Sequence, residues 1–98
     1  MIDLNSKERK ILEKAAHDLQ PVVIVGGAGV TEGLVKMVDS SLAVHELIKV
    51  KFNEYKDEKV ELVNQICNQV NATLVRIIGN VAILYRPAEK PEDRKFDI

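Results

Sequence analysis

The chain has 98 residues, 46% of them apolar, and 14 Lys plus Arg against 15 Asp plus Glu, for a formal charge of −1. A chain of that length makes one domain burying about three fifths of its unfolded surface, too little for a full dinucleotide-binding fold, a barrel or an enzyme with an interdomain cleft. The charge balance argues against a polycationic tail that coats nucleic acid or an anionic membrane, and leaves room for a local basic face.

The single cysteine, Cys67, has no partner for an intramolecular disulfide. The opening Met1-Ile2-Asp3-Leu4-Asn5 lacks the basic and apolar segments of a secretory signal, so a reducing cytoplasm is the expected compartment. Apolar runs of four residues at 22–25 and five at 81–85 fall far short of the ~20 that a membrane-spanning helix needs, and no membrane partner is expected.

Ser6 reads as an N-cap, followed by Ile11, Leu12, Ala15, Ala16 and Leu19 at helical spacing, with Lys7, Lys10 and Lys14 on the other side and Arg9 at its flank. This first helix should end near His17 and Asp18. From Pro21 the branched residues Val22, Val23, Ile24 and Val25 predict a strand covered on both faces. Gly26-Gly27-Ala28-Gly29 breaks it, and Thr31 can cap a second helix carrying Leu34, Val35, Val38 and Leu42, ending near Val44 or His45.

The alternation in Leu47-Ile48-Lys49-Val50-Lys51-Phe52 predicts a half-buried strand with Ile48, Val50 and Phe52 on one face. Asp57 is positioned to cap a third helix with Val60, Val63, Ile66, Cys67 and Val70 as its apolar stripe and Asn71 as its stop. Two further strands, 73–78 and 81–86, flank the hairpin link Gly79-Asn80. Residues 87–98 contain two prolines and seven charged residues and read as a tail or a surface-following extension. The expected fold class is α/β: a compact two-layer mixed β-sheet of α-β-α-β-α-β-β order, with helices over the main apolar face.

In the last two strands, parity places Val75, Ile77, Val81, Ile83 and Tyr85 on one face and Leu74, Ile78, Ala82 and Leu84 on the other, beside Arg76 and Arg86. Part of the second face is then open to a helix or to a protein partner, and a protein-interaction module is the competing function class.

The most informative segment is the strand, glycine-rich turn and helix start of residues 22–33. Small residues let a phosphate or sugar approach the backbone, and a helix N-terminus offers unsatisfied N–H groups and a positive dipole end. Gly27, Gly29 and Gly33 miss the spacing of the dinucleotide fingerprint by one residue, and no Gly-Lys-Ser/Thr follows as a nucleotide triphosphate loop requires. Lys7, Lys10 and Lys14 share a helix face that can track phosphates, and Lys49 and Lys51 form a smaller pair. His17 and His45 sit near helix ends, Cys67 falls on an apolar stripe, and Asp57, Glu58 and Glu61 suit a helix start. These residues supply no catalytic set and no metal cluster, so an enzyme, a metal and a cofactor are not expected.

Four ordered motifs carry a specific resemblance: Leu4-Asn5-Ser6-Lys7; Leu19-Gln20-Pro21-Val22-Val23-Ile24-Val25-Gly26-Gly27-Ala28-Gly29-Val30-Thr31-Glu32-Gly33; His45-Glu46-Leu47-Ile48-Lys49-Val50-Lys51; and Ile78-Gly79-Asn80-Val81-Ala82-Ile83-Leu84-Tyr85-Arg86-Pro87. Together they resemble the YhbY family, the bacterial stand-alone form of the chloroplast RNA splicing and ribosome maturation (CRM) domain, over nearly residues 3–87. The resemblance implies a fold like the C-terminal domain of bacterial translation initiation factor three, RNA binding, and association with precursors of the large ribosomal subunit. It maps the family's Gly-x-x-Gly loop onto Gly26, Gly27, Ala28 and Gly29 and its basic first-helix surface onto Lys7, Lys10 and Lys14. The expected arrangement is an RNA-binding domain at 1–87 and a charged tail at 88–98, acting as a monomer on ribosomal RNA, with a ribosomal protein as a further candidate contact.

The near-neutral charge conceals an uneven distribution. Lys7, Arg9, Lys10 and Lys14 outweigh Glu8 and Glu13 in one helix, and residues 64–86 carry Arg76 and Arg86 with no acidic group.

Overall fold

In the computed structural model, which describes residues 2–98, the first helix is capped by Asn5 and not by Ser6. Asn5 Oδ1 accepts the Glu8 N–H at 2.8 Å while Glu8 Oε1 accepts the Asn5 N–H at 3.0 Å. This reciprocal pair satisfies two donors at once, which a serine one residue later cannot do with the same glutamate, and α1 runs over Ser6–Ala16. The short strand β1 (Val23–Val25) follows, then α2 (Glu32–His45), where Thr31 Oγ1 accepts the Leu34 N–H as expected of a cap. Strand β2 (Leu47–Phe52) leads to α3 (Lys59–Val70), and the hairpin β3 (Thr73–Ile78) and β4 (Val81–Tyr85) completes the sheet.

Asp57 does not cap α3. It lies inside a 3₁₀ turn, Lys56–Glu58, whose Glu58 N–H returns to the Tyr55 carbonyl at 3.1 Å, so backbone replaces the side-chain cap at this helix entry. Asn71 stops α3 in the left-handed region at φ 57°, and Gly79 turns the hairpin at φ 59°. Asn80 has no positive φ, which selects the turn that needs a left-handed residue only at its first central position.

The strands lie in the order β1-β2-β4-β3, with β1 and β2 parallel across the α2 crossover and the other pairs antiparallel. One face carries Val23, Val25, Ile48, Val50, Phe52, Ala82 and Leu84 against Leu34, Val38 and Leu42 of α2 and Val63, Ile66, Cys67 and Val70 of α3. These form the expected two-layer body. On the reverse face, Leu47, Val75, Ile83 and Tyr85 pack under Leu12 and Ala16 of α1, with Leu4 beside them, so a helix covers part of that face as well.

Two expectations about faces fail for physical reasons. The β3–β4 register pairs Leu74 with Leu84 and Arg76 with Ile83, which leaves Val75 as the extra residue of a bulge and reverses the parity beyond it. Ile77 therefore joins the α2/α3 core and Ile78 moves to the reverse face, 55% exposed. Leu74, Ile78, Ala82 and Leu84 do not form a common partner surface, since Ala82 and Leu84 are buried beneath α2 and α3. Strand β1 is not covered on both faces either: Val23 and Val25 are buried, but Val22 and Ile24 are 42% and 53% exposed, because β1 is an edge strand beyond the reach of α1.

The C-terminal segment is docked. Phe96 meets Tyr85 edge-on at 6.0 Å and packs with Ile98 against the α1-side cluster. The carboxylate of Glu46, only 2% exposed, accepts the backbone N–H groups of Ala88 and Lys95, each at 2.5 Å.

Candidate nucleic-acid interface

The glycine loop leaves β1 through a hydrogen-bonded turn, with the Gly29 N–H donating to the Gly26 carbonyl at 3.0 Å. Neither Gly27 nor Ala28 has a positive φ, so the bonded turn is of type I, and Gly29 follows in the left-handed region at φ 72°. A right-handed residue followed by a left-handed one turns successive amide N–H groups to one side, the concavity that backbone uses to hold anions. Among the described residues, the N–H groups of Ala28 and Val30 donate to no other group of the chain. A Cβ added at Gly26 or Gly27 would meet nothing within 4 Å. Glycine at these two positions is thus required neither by left-handed backbone nor by internal packing, and it keeps the turn open to close approach.

The segment after β2 braces the loop from below. The Val25 carbonyl accepts N–H groups from Asn53 and Glu54 at 3.1 and 3.3 Å. Tyr55, itself left-handed at φ 57°, donates its hydroxyl to the Gly27 carbonyl at 2.8 Å and rests its ring 3.4 Å from the Cβ position of Gly29. Nothing in the sequence reading pointed to Tyr55; the available signal is an aromatic residue standing alone in the polar link Asn53-Glu54-Tyr55-Lys56.

Lys7, Lys10 and Lys14 are exposed and line one shallow groove along α1 with Ser6 and with Ile11, which is 42% exposed on the lysine side instead of joining the apolar stripe with Leu12 and Ala16. At 3.6 residues per turn they lie roughly opposite Leu12 and Ala16, so their ammonium groups point away from the sheet. They are together with one another but belong to a different element from the glycine loop. The link between the two is Lys49, whose Nζ donates to the carbonyls of His17 at 3.3 Å and Leu19 at 3.0 Å, where α1 hands over to β1. Lys51 is exposed and registers with Ile24 on β1, one residue before the strand ends at the loop.

The arginines are engaged within the chain. Arg9 Nη1 donates to the carbonyls of Leu74 and Val75 at 2.8 and 2.7 Å. Arg76 pairs with Glu13 at 2.7 Å. Arg86 pairs with Asp39 at 2.6 Å and donates to the Val70 carbonyl at 2.8 Å. His17 follows α1 as its C-cap and His45 is the last residue of α2. Burial pushes the Cys67 thiol up to about 11, which leaves it protonated and inert at neutral pH. Among the described residues no three His, Cys, Asp or Glu side chains are grouped to hold a metal, and no helix is long and apolar enough to cross a membrane.

Fold and site define a small α/β binding domain: a βαβ unit whose open turn presents free amide donors, extended by a hairpin and a lysine-bearing helix. Residues 4–86 match the CRS1 / YhbY (CRM) domain. A Haemophilus influenzae relative named "RNA-binding protein" is 40% identical over 91 residues, covering 92% of this chain and 92% of its own. A Pseudomonas aeruginosa relative, named a "Probable RNA-binding protein", is 37% identical over 96 residues, covering 97% and 92%. A solution structure of a Staphylococcus aureus protein proposed to bind RNA superposes with a TM-score of 0.77 at 29% identity, over 97% of this chain and 100% of that one. The chain belongs to the CRM domain family.

Proposed function

We propose that this protein is an RNA-binding accessory factor whose activity is binding and not bond chemistry. The Gly26-Gly27-Ala28-Gly29 turn seats a sugar-phosphate backbone, its free Ala28 and Val30 N–H groups donate to phosphate oxygens, and Lys7, Lys10 and Lys14 hold further phosphates along α1. Lys51 extends the basic path from the loop across β2, while Lys49 chiefly fixes α1 beside it. The observation that carries this reading is the open turn, with two unclaimed amide donors and two glycines that the fold itself does not require. The printed names of the Haemophilus and Pseudomonas relatives support the same class of ligand.

The finer reading is that the RNA is ribosomal and that the protein acts on precursors of the large ribosomal subunit, in the cytoplasm and as a monomer, with a ribosomal protein as a candidate neighbour. In this proposal residues 1–87 are the binding domain and 88–98 an appended segment. Contacts to phosphates position such a protein, and weak base reading suffices where the RNA fold is the target. Crosslinking in cell extract tests the assignment: ribosomal RNA of large-subunit precursors should be enriched with the wild-type chain and lost with Gly27→Val, a change that meets no neighbouring atom within 4 Å at its Cβ. Equal recovery of the same RNA by both proteins would remove the loop from the interface.

A further inference from the structure

We infer that Tyr55 is a positioning residue for the anion-accepting turn, holding the Gly27–Ala28 peptide so that the Ala28 N–H faces outward to a phosphate. This rests on the RNA-binding reading of the loop and names a residue outside the Gly-x-x-Gly sequence that sets its geometry.

In a planar trans peptide the carbonyl and the following N–H point in opposite directions. The Tyr55 hydroxyl donates to the Gly27 carbonyl at 2.8 Å, and this fixes the Ala28 N–H on the side of the turn away from the ring. The central peptide of a type I turn is the one that rotates to give type II, and Gly27 resists that rotation little. The rotated turn would aim the Gly27 carbonyl, a negative dipole end, where the Ala28 donor now points. An approaching phosphate would meet repulsion in place of a hydrogen bond. Ala28 disfavours the positive φ that type II requires, and the Tyr55 hydroxyl adds the second restraint.

Tyr55 is itself held at φ 57°, a region that bulky residues rarely occupy. The neighbouring backbone holds it there: the Val25 carbonyl takes the Asn53 and Glu54 N–H groups, and the Tyr55 carbonyl takes that of Glu58. Tyr55 as a whole is still 43% exposed and belongs to neither core cluster, so its placement does little for the core. An uncommon backbone conformation that contributes little burial and ends in a hydroxyl on the loop is a device for setting the loop's shape.

Tyr55→Phe keeps the ring against Gly29 and removes only the hydroxyl. With fluorescein-labelled, fragmented bacterial ribosomal RNA as the probe, we expect affinity to fall about 3- to 10-fold, the scale of one hydrogen bond. The slope of log affinity against log salt should become shallower by about one phosphate contact, which a purely structural role would not produce. In parallel, titration with inorganic phosphate should shift the Ala28 and Val30 amide resonances of the wild type saturably and those of Tyr55→Phe more weakly. Equal affinity, equal slope and equal phosphate shifts in the two proteins would overturn the inference. If wild type fails to bind the ribosomal RNA, the RNA-binding reading falls, and the phosphate titration still decides the role of Tyr55: shifts absent from both proteins, or the same in both, would overturn it.

Discussion

The guanidinium of Arg9 donates to the carbonyl of Val75 at 2.7 Å, joining the middle of α1 to the bulged residue of an edge strand. Its bond to the Leu74 carbonyl at 2.8 Å comes from the same Nη1. A bulge on an edge strand leaves carbonyls outside the sheet ladder, and Arg9 satisfies two of them while fixing the helix over the reverse face. The four basic residues of α1 therefore divide: Arg9 is part of the fold, and Lys7, Lys10 and Lys14 are free to meet a ligand. Arg9→Ala should lower stability by about 1.5–3 kcal/mol in urea denaturation, the range of hydrogen bonds to charged groups, with RNA affinity of the folded fraction unchanged.

Glu46 makes the equivalent link at the other end of the chain. Its carboxylate is buried and accepts two backbone donors from the C-terminal segment, from a residue held at φ 62° between α2 and β2. Glu46→Gln keeps the size but turns an NH₂ group toward one of those donors. The expected cost is about 1–3 kcal/mol, together with release of Phe96 from Tyr85. Limited trypsin digestion should then cut faster after Arg94 and Lys95 than in the wild type.

Alkaline pH should weaken the fold through Cys67. Burial raises its thiol from the ordinary 9.0 to about 11, so the native state holds this proton more tightly than the unfolded chain does. The associated stability is complete below pH 9 and is lost as pH rises through 11, amounting to about 3 kcal/mol in all. Cys67→Ala should flatten the fall measured by denaturant titration at successive pH values. Some drift should remain, because the buried Tyr85 hydroxyl is also raised, first by burial and then by the Glu46 charge.

Elements with strong periodicity are legible in the sequence. The apolar stripe of α3 apart from Val60, which lies in the first turn and is 54% exposed, the alternation in β2, the Thr31 cap, the Asn71 stop and the Gly79 turn each follow from local rules, and the ordered motifs identified the family. The bulge at Val75 was not legible, because an inserted residue in an edge strand leaves no mark in a continuous apolar run, and it moved Ile77 and Ile78 to opposite faces. The cap at Asn5 was missed because Ser6 is also a good capping residue and only the Asn5–Glu8 pair separates them. At the candidate site the loop and the lysine row could be read from spacing. The brace from Tyr55 and the tie from Lys49 to His17 and Leu19 could not, since both join segments that are distant in the chain.

In the proposed interface Lys7, Lys10 and Lys14 contact RNA phosphates while contributing nothing essential to the fold. A salt titration of binding to structured ribosomal RNA fragments, comparing wild type with Lys7, Lys10 and Lys14 jointly changed to Gln, tests it most directly. Helicity should stay the same, because all three side chains are exposed and opposite the buried face. Affinity should fall, and the slope of log affinity against log salt should become shallower by about two to three contacts. Unchanged affinity and an unchanged slope in a fully helical variant would remove these lysines from the interface.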